Sequence, residues 1–426
     1  MLDIKMFREE PDLIRDNLKK KFQDHKLPLV DEIIALDKEF RQAKTEGDEL
    51  RGQRNKISKE IGALYAKKEI DQAKAKQARV KDINDQLDQL EEKEGQLSKA
   101  ILEKQMQIPQ IIDPSVPIGK DDSENVEIER FGDPLVPDYE IPYHVDIMES
   151  LDGVEFESSR QTSGSGFYYL KGDIARLHSA ILSYARDFMI DRGYTYYVPP
   201  FMVRSSVVSG VMSFEEMEDM MYKIEGEDLY LIGTSEHSMI GKFIGGFVEE
   251  EDLPQKLTSY SPCFRKEVGA HGIEERGVYR VHQFEKQEMV IVCHPEDSMA
   301  FYEELWKNSV DFFRSLDLPV RTLECCSGDL ADLKVKSLDV EVWSPRQQTY
   351  FEAGSCSNLG DAQARRLNIR IRGKEGNYLA HTLNNTVVAT PRILIAFLEN
   401  MLQADGSIRI PQALRPYMGG KDKLEK

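Results

Sequence analysis

Leu36, Phe40, Ala43, Gly47, Leu50, Arg54, Ile57, Ile61 and Leu64 alternate by four and three, a heptad seam broken by small and polar residues. A second seam follows through Val80, Ile83, Leu87, Leu90, Leu97 and Ile101, with the charged Glu94 out of pattern. The polar stretch KKEIDQAKAKQ between them is the expected turn, and Pro109 and Pro114 the expected stop. The other faces of both helices are polar, so the seams must be buried against each other. The pattern predicts a projecting antiparallel hairpin over residues 28–110, with about 37 residues per arm and roughly 55 Å of reach. A dimerising or purely structural coiled coil and a rod that touches a distant partner share this pattern. Gly47, Gly52 and Gly62 each cost such a helix about 1 kcal/mol against Ala. They mark either a partner's close approach or simple tolerance.

Charge narrows the partner. The 426 residues include 56 Lys/Arg and 75 Asp/Glu, a formal net charge of −19. Residues 1–110 carry 23 of each sign, so the remaining 33 basic and 52 acidic residues account for the whole deficit. That excludes a broadly basic nucleic-acid binder, yet a neutral, lysine-rich hairpin still offers a local stripe to phosphate. No apolar run has membrane length; MVIVC, from Met289, is far too short. The amino terminus, MLDIKMFREEPD, meets acidic residues before any apolar signal core. Five cysteines without a C-x-x-C pair fit a reduced, cytoplasmic protein with no disulfide framework.

Beyond residue 110 the chain changes character, to short aromatic-rich strands, Gly/Pro turns and a few amphipathic helices. Helices are expected over Ile174 to Arg192, stopped by Gly193, and over Ser298 to Leu316 and Arg392 to Gln403. Strands are expected at Leu229–Ile232, Leu257–Phe264, Gly277–Phe284, Glu288–Cys293, Ser337–Trp343, Thr349–Ala353 and Leu379–Asn384. Hairpin-linked strands with segregated helices indicate an α+β domain on an antiparallel sheet, over residues 111–426.

The chemistry of this domain lies in arginines and carboxylates. No nucleophile elbow, Walker A loop, GxGxxG, HExxH or metal-spaced Cys/His cluster occurs. Arg265 and Glu267, two apart on an expected strand, share a face. Glu285 and Glu288 follow on the return strand, Glu236 follows LIGTS, and Glu352 opens FEAGSCSN. Arg392 falls in a first helical turn, after Thr390 as expected N-cap and Pro391. A cation there opposes the helix dipole by up to about 1 kcal/mol. A satisfied surface ion pair is the ordinary reading of any one such residue. Several together, with no protein nucleophile, suit a substrate that brings its own nucleophile to a site supplying charge.

GYTYYVPPF, FRKEVG…YRVHQFEKQEM and ATPRILIAFLEN resemble motifs 1, 2 and 3 of the class II aminoacyl-tRNA synthetases. LIGTSEHSM, FEAGSCSNLGDAQARRLNIR, AHTLNNT and the hairpin are most similar to the seryl family of that class. The resemblance covers nearly the whole chain. It implies an ATP-dependent ligase that activates L-serine and transfers it to the 3′ end of serine tRNA. The resemblance leaves room for selenocysteine tRNA as a second acceptor.

The same resemblance implies the site. Arg265 would bridge the serine carboxylate and the α-phosphate, and Arg392 would meet the γ-phosphate; both are expected to be catalytic. Thr234, Ser235, Glu236, Arg265, Glu288, Asn384 and Thr386 would bind serine. Arg265, Lys266, Glu267, Val281, His282, Gln283, Phe284, Glu352, Ala353, Gly354, Ser355 and Arg392 would bind ATP, with Phe284 against adenine and Gly269 to Gly277 as a flexible loop. Glu352 and Ser355 would hold Mg²⁺. A zinc-dependent variant of the family holds serine through cysteines and a glutamate. Cys263 and Cys356 could be cast in that role, but the Thr-Ser-Glu loop and the full arm favour the zinc-free pocket. A homodimer is expected from the motif 1 segment. The sequence departs from the family at Ala353 and Gly354, usually bulkier or hydroxyl residues, at LNNT for LNGS, and at Pro391. A relative that loads a carrier protein would lack the arm, and an inactive paralogue would not keep Arg265, Glu267, Glu288, Glu352 and Arg392.

Overall fold

The computed structural model describes residues 1–267 and 277–426, apart from the side chains of residues 214–216. The chain divides into two compact units, Met1–Ile111 and Ile112–Lys426.

The first unit is helical throughout: α1 (Ile4–Glu9), α2 (Pro11–Lys20), α3 (Leu27–Ala66) and α4 (Ile70–Gln105). At 40 residues α3 is about 60 Å long. The turn is only residues 67–69, so most of KKEIDQAKAKQ is helix rather than loop. Its Lys, Gln and Ala residues are good helix formers, and their polarity reports exposure, not a break. Lys68 takes a left-handed φ of 64°, and the Glu69 N–H returns to the Leu64 carbonyl at 3.0 Å. The second helix stops at Gln105, ahead of Pro109.

The seam is as the heptads require at Ala43, Gly47, Ile83, Leu87, Leu97 and Ile101, all buried. Towards the turn Leu50, Ile57, Ile61 and Leu64 are only half-buried, since two helices alone cannot enclose them. At the base, Phe7, Ile14 and Leu18 of α1 and α2 pack with Val30, Ile33, Ile101 and Ile108. Asp37 is buried there, accepting from Arg8 Nη2 at 2.6 Å and Arg41 Nε at 2.9 Å.

The second unit is built on eight strands: β1 (Val126–Phe131), β2 (Thr195–Tyr197), β3 (Gln255–Phe264), β4 (Gln283–Cys293), β5 (Val320–Glu324), β6 (Lys336–Ser344), β7 (Thr349–Asn358) and β8 (His381–Thr390). Their order is β1-β5-β6-β7-β8-β4-β3-β2, antiparallel except where β2 runs parallel to β3. Four helices matter for the site: α5 (Gly172–Ile190), α6 (Ser235–Gly241), α7 (Ser298–Ser315) and α8 (Arg392–Met401). Residues of α5, α7 and α8 form the main core with Met289, Ile291 and Cys293 of β4. Val290 and Val292 point the other way, into a smaller cluster with Met239, Ile240 and Ile371. A strand buried on both faces reads as a continuous apolar run, which is why MVIVC is one.

Two expectations fail next to the site. Gly277–Phe284 is not a strand, because β4 begins only at Gln283. The chain is instead tied to His144: Val278 N–H donates to its Nε2 at 3.3 Å, and a Cβ on Gly277 (φ 108°) would lie 2.3 Å from that nitrogen. Nor do Arg265 and Glu267 share a strand face. β3 ends at Phe264, and Glu267 has a left-handed φ of 50°.

Candidate active site

Alternation along β4 sets the site. Phe284, Lys286 and Glu288 lie on the face of Val290 and Val292, while Glu285 points to α5, where it meets His178 Nε2 at 2.7 Å. Glu288 is level with Thr386 of β8 on one side and Ser259 of β3 on the other.

Two bulges complete the arrangement. Val387 is an extra residue against β4, so Thr386 and Ala389 both reach the cavity although their spacing is odd. Ala353 is an extra residue against β6, which brings Glu352 and Ser355 to one side despite a separation of three. Bulges commonly re-aim side chains at functional sites in this way.

Two adjoining depressions result, sharing Arg265, Lys286, Glu352 and Thr386. The first is lined by Glu267, Tyr279, Val281, Phe284, Ala353, Gly354 and Arg392 as well. The Arg265 guanidinium lies 5.2 Å from the Phe284 ring centre, and its Nε donates to the Gly233 carbonyl at 3.2 Å. Arg392 sits 4.7 Å over the Tyr279 ring, with Nε donating to the Tyr279 carbonyl at 3.3 Å and Nη1 3.9 Å from Glu352 Oε2. Pro391, not Thr390, is the cap residue of α8. Thr390 Oγ1 is instead paired with His178 Nδ1 at 3.0 Å. The first turn of α8 holds no acidic residue, so Arg392 and the helix dipole add their positive potential.

The second depression is lined by Thr234, Glu236, His237, Lys334, Ser355 and Asn384, among others. Thr234 Oγ1 donates to Glu288 Oε2 at 3.4 Å, and Lys286 Nζ is ion-paired with the same oxygen. Burial pushes the Glu288 carboxyl up to about 7 against the pull of Lys286, with Glu236 adding to the rise. Burial likewise pushes the His237 imidazole down to about 3, with Arg265 and Lys286 adding to the fall, so it is neutral at pH 7. Asp339, level with Ser355, is raised to about 7 by burial and then by Glu352.

The expected site residues do not all converge. Ser235 is fully buried and accepts from Ser259 Oγ at 2.8 Å, so its side chain does not face the cavity. Lys266 Nζ donates to the Glu218 carbonyl at 2.9 Å, away from both depressions. His282 packs on Phe167 at 5.3 Å, and its carbonyl accepts from Arg265 N–H at 2.9 Å, so it supports Arg265 from behind. Gln283 is exposed where β4 begins. The expected loop from Gly269 lies outside the described residues, apart from Gly277. Cys263 and Cys356 are buried with Ser261 and Tyr302 as neighbours and line neither depression.

Two of the departures have physical causes. A Cβ on Gly354 would lie 3.0 Å from Thr386 Cβ, so the Thr at position 386 and the Gly at 354 fit each other. Asn385 faces away from the cavity, donating to the Leu305 carbonyl at 2.9 Å and to Ser309 Oγ at 2.8 Å on α7. Tyr279, Lys286, His237 and Lys334 were not anticipated. Lys286 was within reach, since the two-residue period that selects Glu288 selects it too. Tyr279 was hidden by the mistaken strand.

A mainly antiparallel sheet carrying one arginine at a strand end and another at the start of a helix that packs beneath it defines a class II aminoacyl-tRNA synthetase core. The model of the tRNA synthetase class II core domain (G, H, P, S and T) matches residues 220–401, and that of the seryl-tRNA synthetase N-terminal domain matches residues 1–112. The chain is 42% identical to the serine--tRNA ligase of Methanocella arvoryzae over 100% of both chains. It is 40% identical to that of Pyrococcus horikoshii, covering 99% of this chain and 97% of the relative. The crystal structure of the Pyrococcus horikoshii seryl-tRNA synthetase complexed with ATP superposes with a TM-score of 0.94 at 39% identity, over 100% of this chain and 99% of that one. The cytoplasmic enzyme of Naegleria fowleri in complex with AMP gives 0.89 at 33% identity, with the same coverage. Within that class, the chain belongs to the seryl-tRNA synthetase family.

Proposed function

We propose that the protein activates L-serine with ATP and then transfers the serine to the 3′ end of serine tRNA. The observation that carries this reading is the meeting of the two depressions at Arg265. One is edged by an aromatic ring and two guanidiniums, as a nucleotide requires, and the other by carboxylates and hydroxyls, as a small polar amino acid requires. A serine carboxylate oxygen attacks the α-phosphorus, the bond to pyrophosphate breaks, and seryl-adenylate remains. Both reactants are anions, so Arg265 lies where it relieves their repulsion and Arg392 lies toward the phosphate tail. No general base is needed, because the carboxylate is ionised at pH 7. The tRNA terminal hydroxyl then displaces AMP from the seryl carbonyl.

Thr234 and Glu236 would take the ammonium, and Glu288 and Thr386 the hydroxyl, with Asn384 beside them. The oxygen-rich group of Glu352, Ser355 and Asp339 suits a hard cation, because burial and then the charge of Glu352 raise the Asp339 carboxyl despite the pull of Lys334. Glu352 and Ser355 would hold Mg²⁺, which when bound neutralises phosphate charge. The helical unit, with lysines along exposed faces, would grip the tRNA. Five free cysteines suit a reducing cytoplasm. The motif 1 segment around Tyr196 would join two copies, and a monomer by light scattering at micromolar concentration would count against that. Pyrophosphate exchange run against each of the twenty amino acids tests the central claim. Serine alone should support it, and exchange with another amino acid in preference would overturn the reading.

A further inference from the structure

Lys286 lies between the two depressions and is described by neither substrate role. Its side chain is buried, and so are those of Thr234 and Glu288. Nζ donates to Thr234 Oγ1 at 3.2 Å and is ion-paired with Glu288 Oε2, so it ties together the two side chains expected to grip either end of serine. The other charged and titratable groups around Glu288 are Glu236 and His237 of α6, Cys263 of β3, Cys356 of β7 and Arg265. Glu236 repels it. His237 is neutral, Cys263 and Cys356 are buried thiols, and Arg265, engaged with Phe284 and Gly233, pulls on Glu288 less than Lys286 does. Lys286 is therefore the cation in contact with a carboxylate that burial drives toward its neutral form.

We propose that Lys286 is a positioning residue for the amino acid: it keeps the Glu288 carboxylate ionised and oriented as an acceptor for the substrate hydroxyl, so that choice of serine over alanine depends on it. This rests on the serine reading above. An ionised carboxylate only accepts hydrogen bonds; the serine hydroxyl donates to it beyond its bonds to Thr234 and Lys286, and alanine leaves that additional bond unmade. A protonated Glu288 accepts more weakly and is free to turn, so the distinction shrinks.

The test is serine-dependent pyrophosphate exchange by the full chain carrying Lys286→Met, followed from pH 6.5 to 9. KM for serine should rise on the order of 10²-fold at pH 7, and the preference over alanine should fall by a similar factor. KM for ATP should stay within about threefold. The pH at which serine affinity improves should move up by about one unit or more, because Glu288 has lost its cation. Lys286→Arg, which keeps the charge, should hold that midpoint near the parent's. Lys286→Gln carries the same expectations should the Met variant not fold. Unchanged serine KM, or serine and ATP KM rising together with no movement of the pH midpoint, would overturn the inference. Failure of the parent chain to exchange with serine would instead strike the functional reading itself.

Discussion

Asp37 of the helical unit and Glu288 of the larger one are both carboxylates buried against basic side chains, and the outcomes are opposite. In the helical unit, burial alone would push Asp37 up, but hydrogen bonds from Arg8 and Arg41 overcome it and hold the carboxyl below its usual range. Glu288 has one cation in contact, a second carboxylate nearby, and ends up at about 7. The two Asp37 oxygens are satisfied within the protein, by side chains whose far ends reach solvent. Glu288 lines neither depression itself, but both its partners, Thr234 and Lys286, line the second one and meet it through the same oxygen, Oε2. A buried charge whose partners turn to bulk solvent marks architecture, and one whose partners line a cavity marks a place for a ligand.

The signs follow by linkage. Asp37 has a folded value below its unfolded one. Its stabilisation is present above the unfolded value, about pH 4, and is lost as the pH falls through the folded value. Glu288 has a folded value above its unfolded one, so the folded state holds an extra proton between about 4.5 and 7. Its contribution to stability is therefore lost as the pH rises through that window.

The contrast between the units is tested hardest by cutting the arm. Gly47 of α3 faces Glu94 of α4, with 3.4 Å from a Cβ there to Glu94 Oε1. Removing residues 47–94 and joining the ends with a short glycine linker leaves the base cluster of Phe7, Ile14 and Leu18 intact. Serine-dependent exchange should survive, and kcat/KM for tRNA should fall about 10³-fold or more, with a weaker salt dependence of binding. Normal charging by the shortened chain would make the arm structural. Next in size, Arg265→Ala or Arg392→Ala should slow adenylate formation on the order of 10²–10³-fold with the thermal midpoint unchanged. Near-normal exchange in either variant would falsify the assignment.

Asp37→Asn should leave exchange untouched and cost about 2–3 kcal/mol in denaturant unfolding at pH 7, with the difference from the parent narrowing below pH 4. Loss of exchange in that variant would show that the two carboxylates are not separable as architecture and site. Smallest of all, Gly52→Ala and Gly62→Ala should each stabilise the arm by about 0.5–1 kcal/mol, since nothing lies within 4 Å of an added Cβ at either position. A drop in tRNA charging in either variant would mean that the glycine makes room for the partner.

The heptads, the three longest helices of the larger unit (α5, α7 and α8) and most strand centres were legible before any coordinates, because each is written in a local period of 3.5, 3.6 or 2 residues; the short α6 was not. The family's motifs singled out Arg265, Thr386 and Arg392, which line the depressions, and Glu288, which is buried behind them. Asp37 could not be read, since its burial depends on Arg8, 29 residues away. The same holds for the arrangement of Glu352 with Ser355, and of Thr386 with Ala389. Strict alternation sends each pair to opposite faces, and only the single-residue bulges at Ala353 and Val387 reunite them. A bulge arises from the register between neighbouring strands, and so does the level pairing of Glu288 with Thr386. Periodicity in one segment says which face a residue prefers. Which residue of another segment stands opposite, and so what charge or hydroxyl it meets, depends on the pairing of strands distant in the chain.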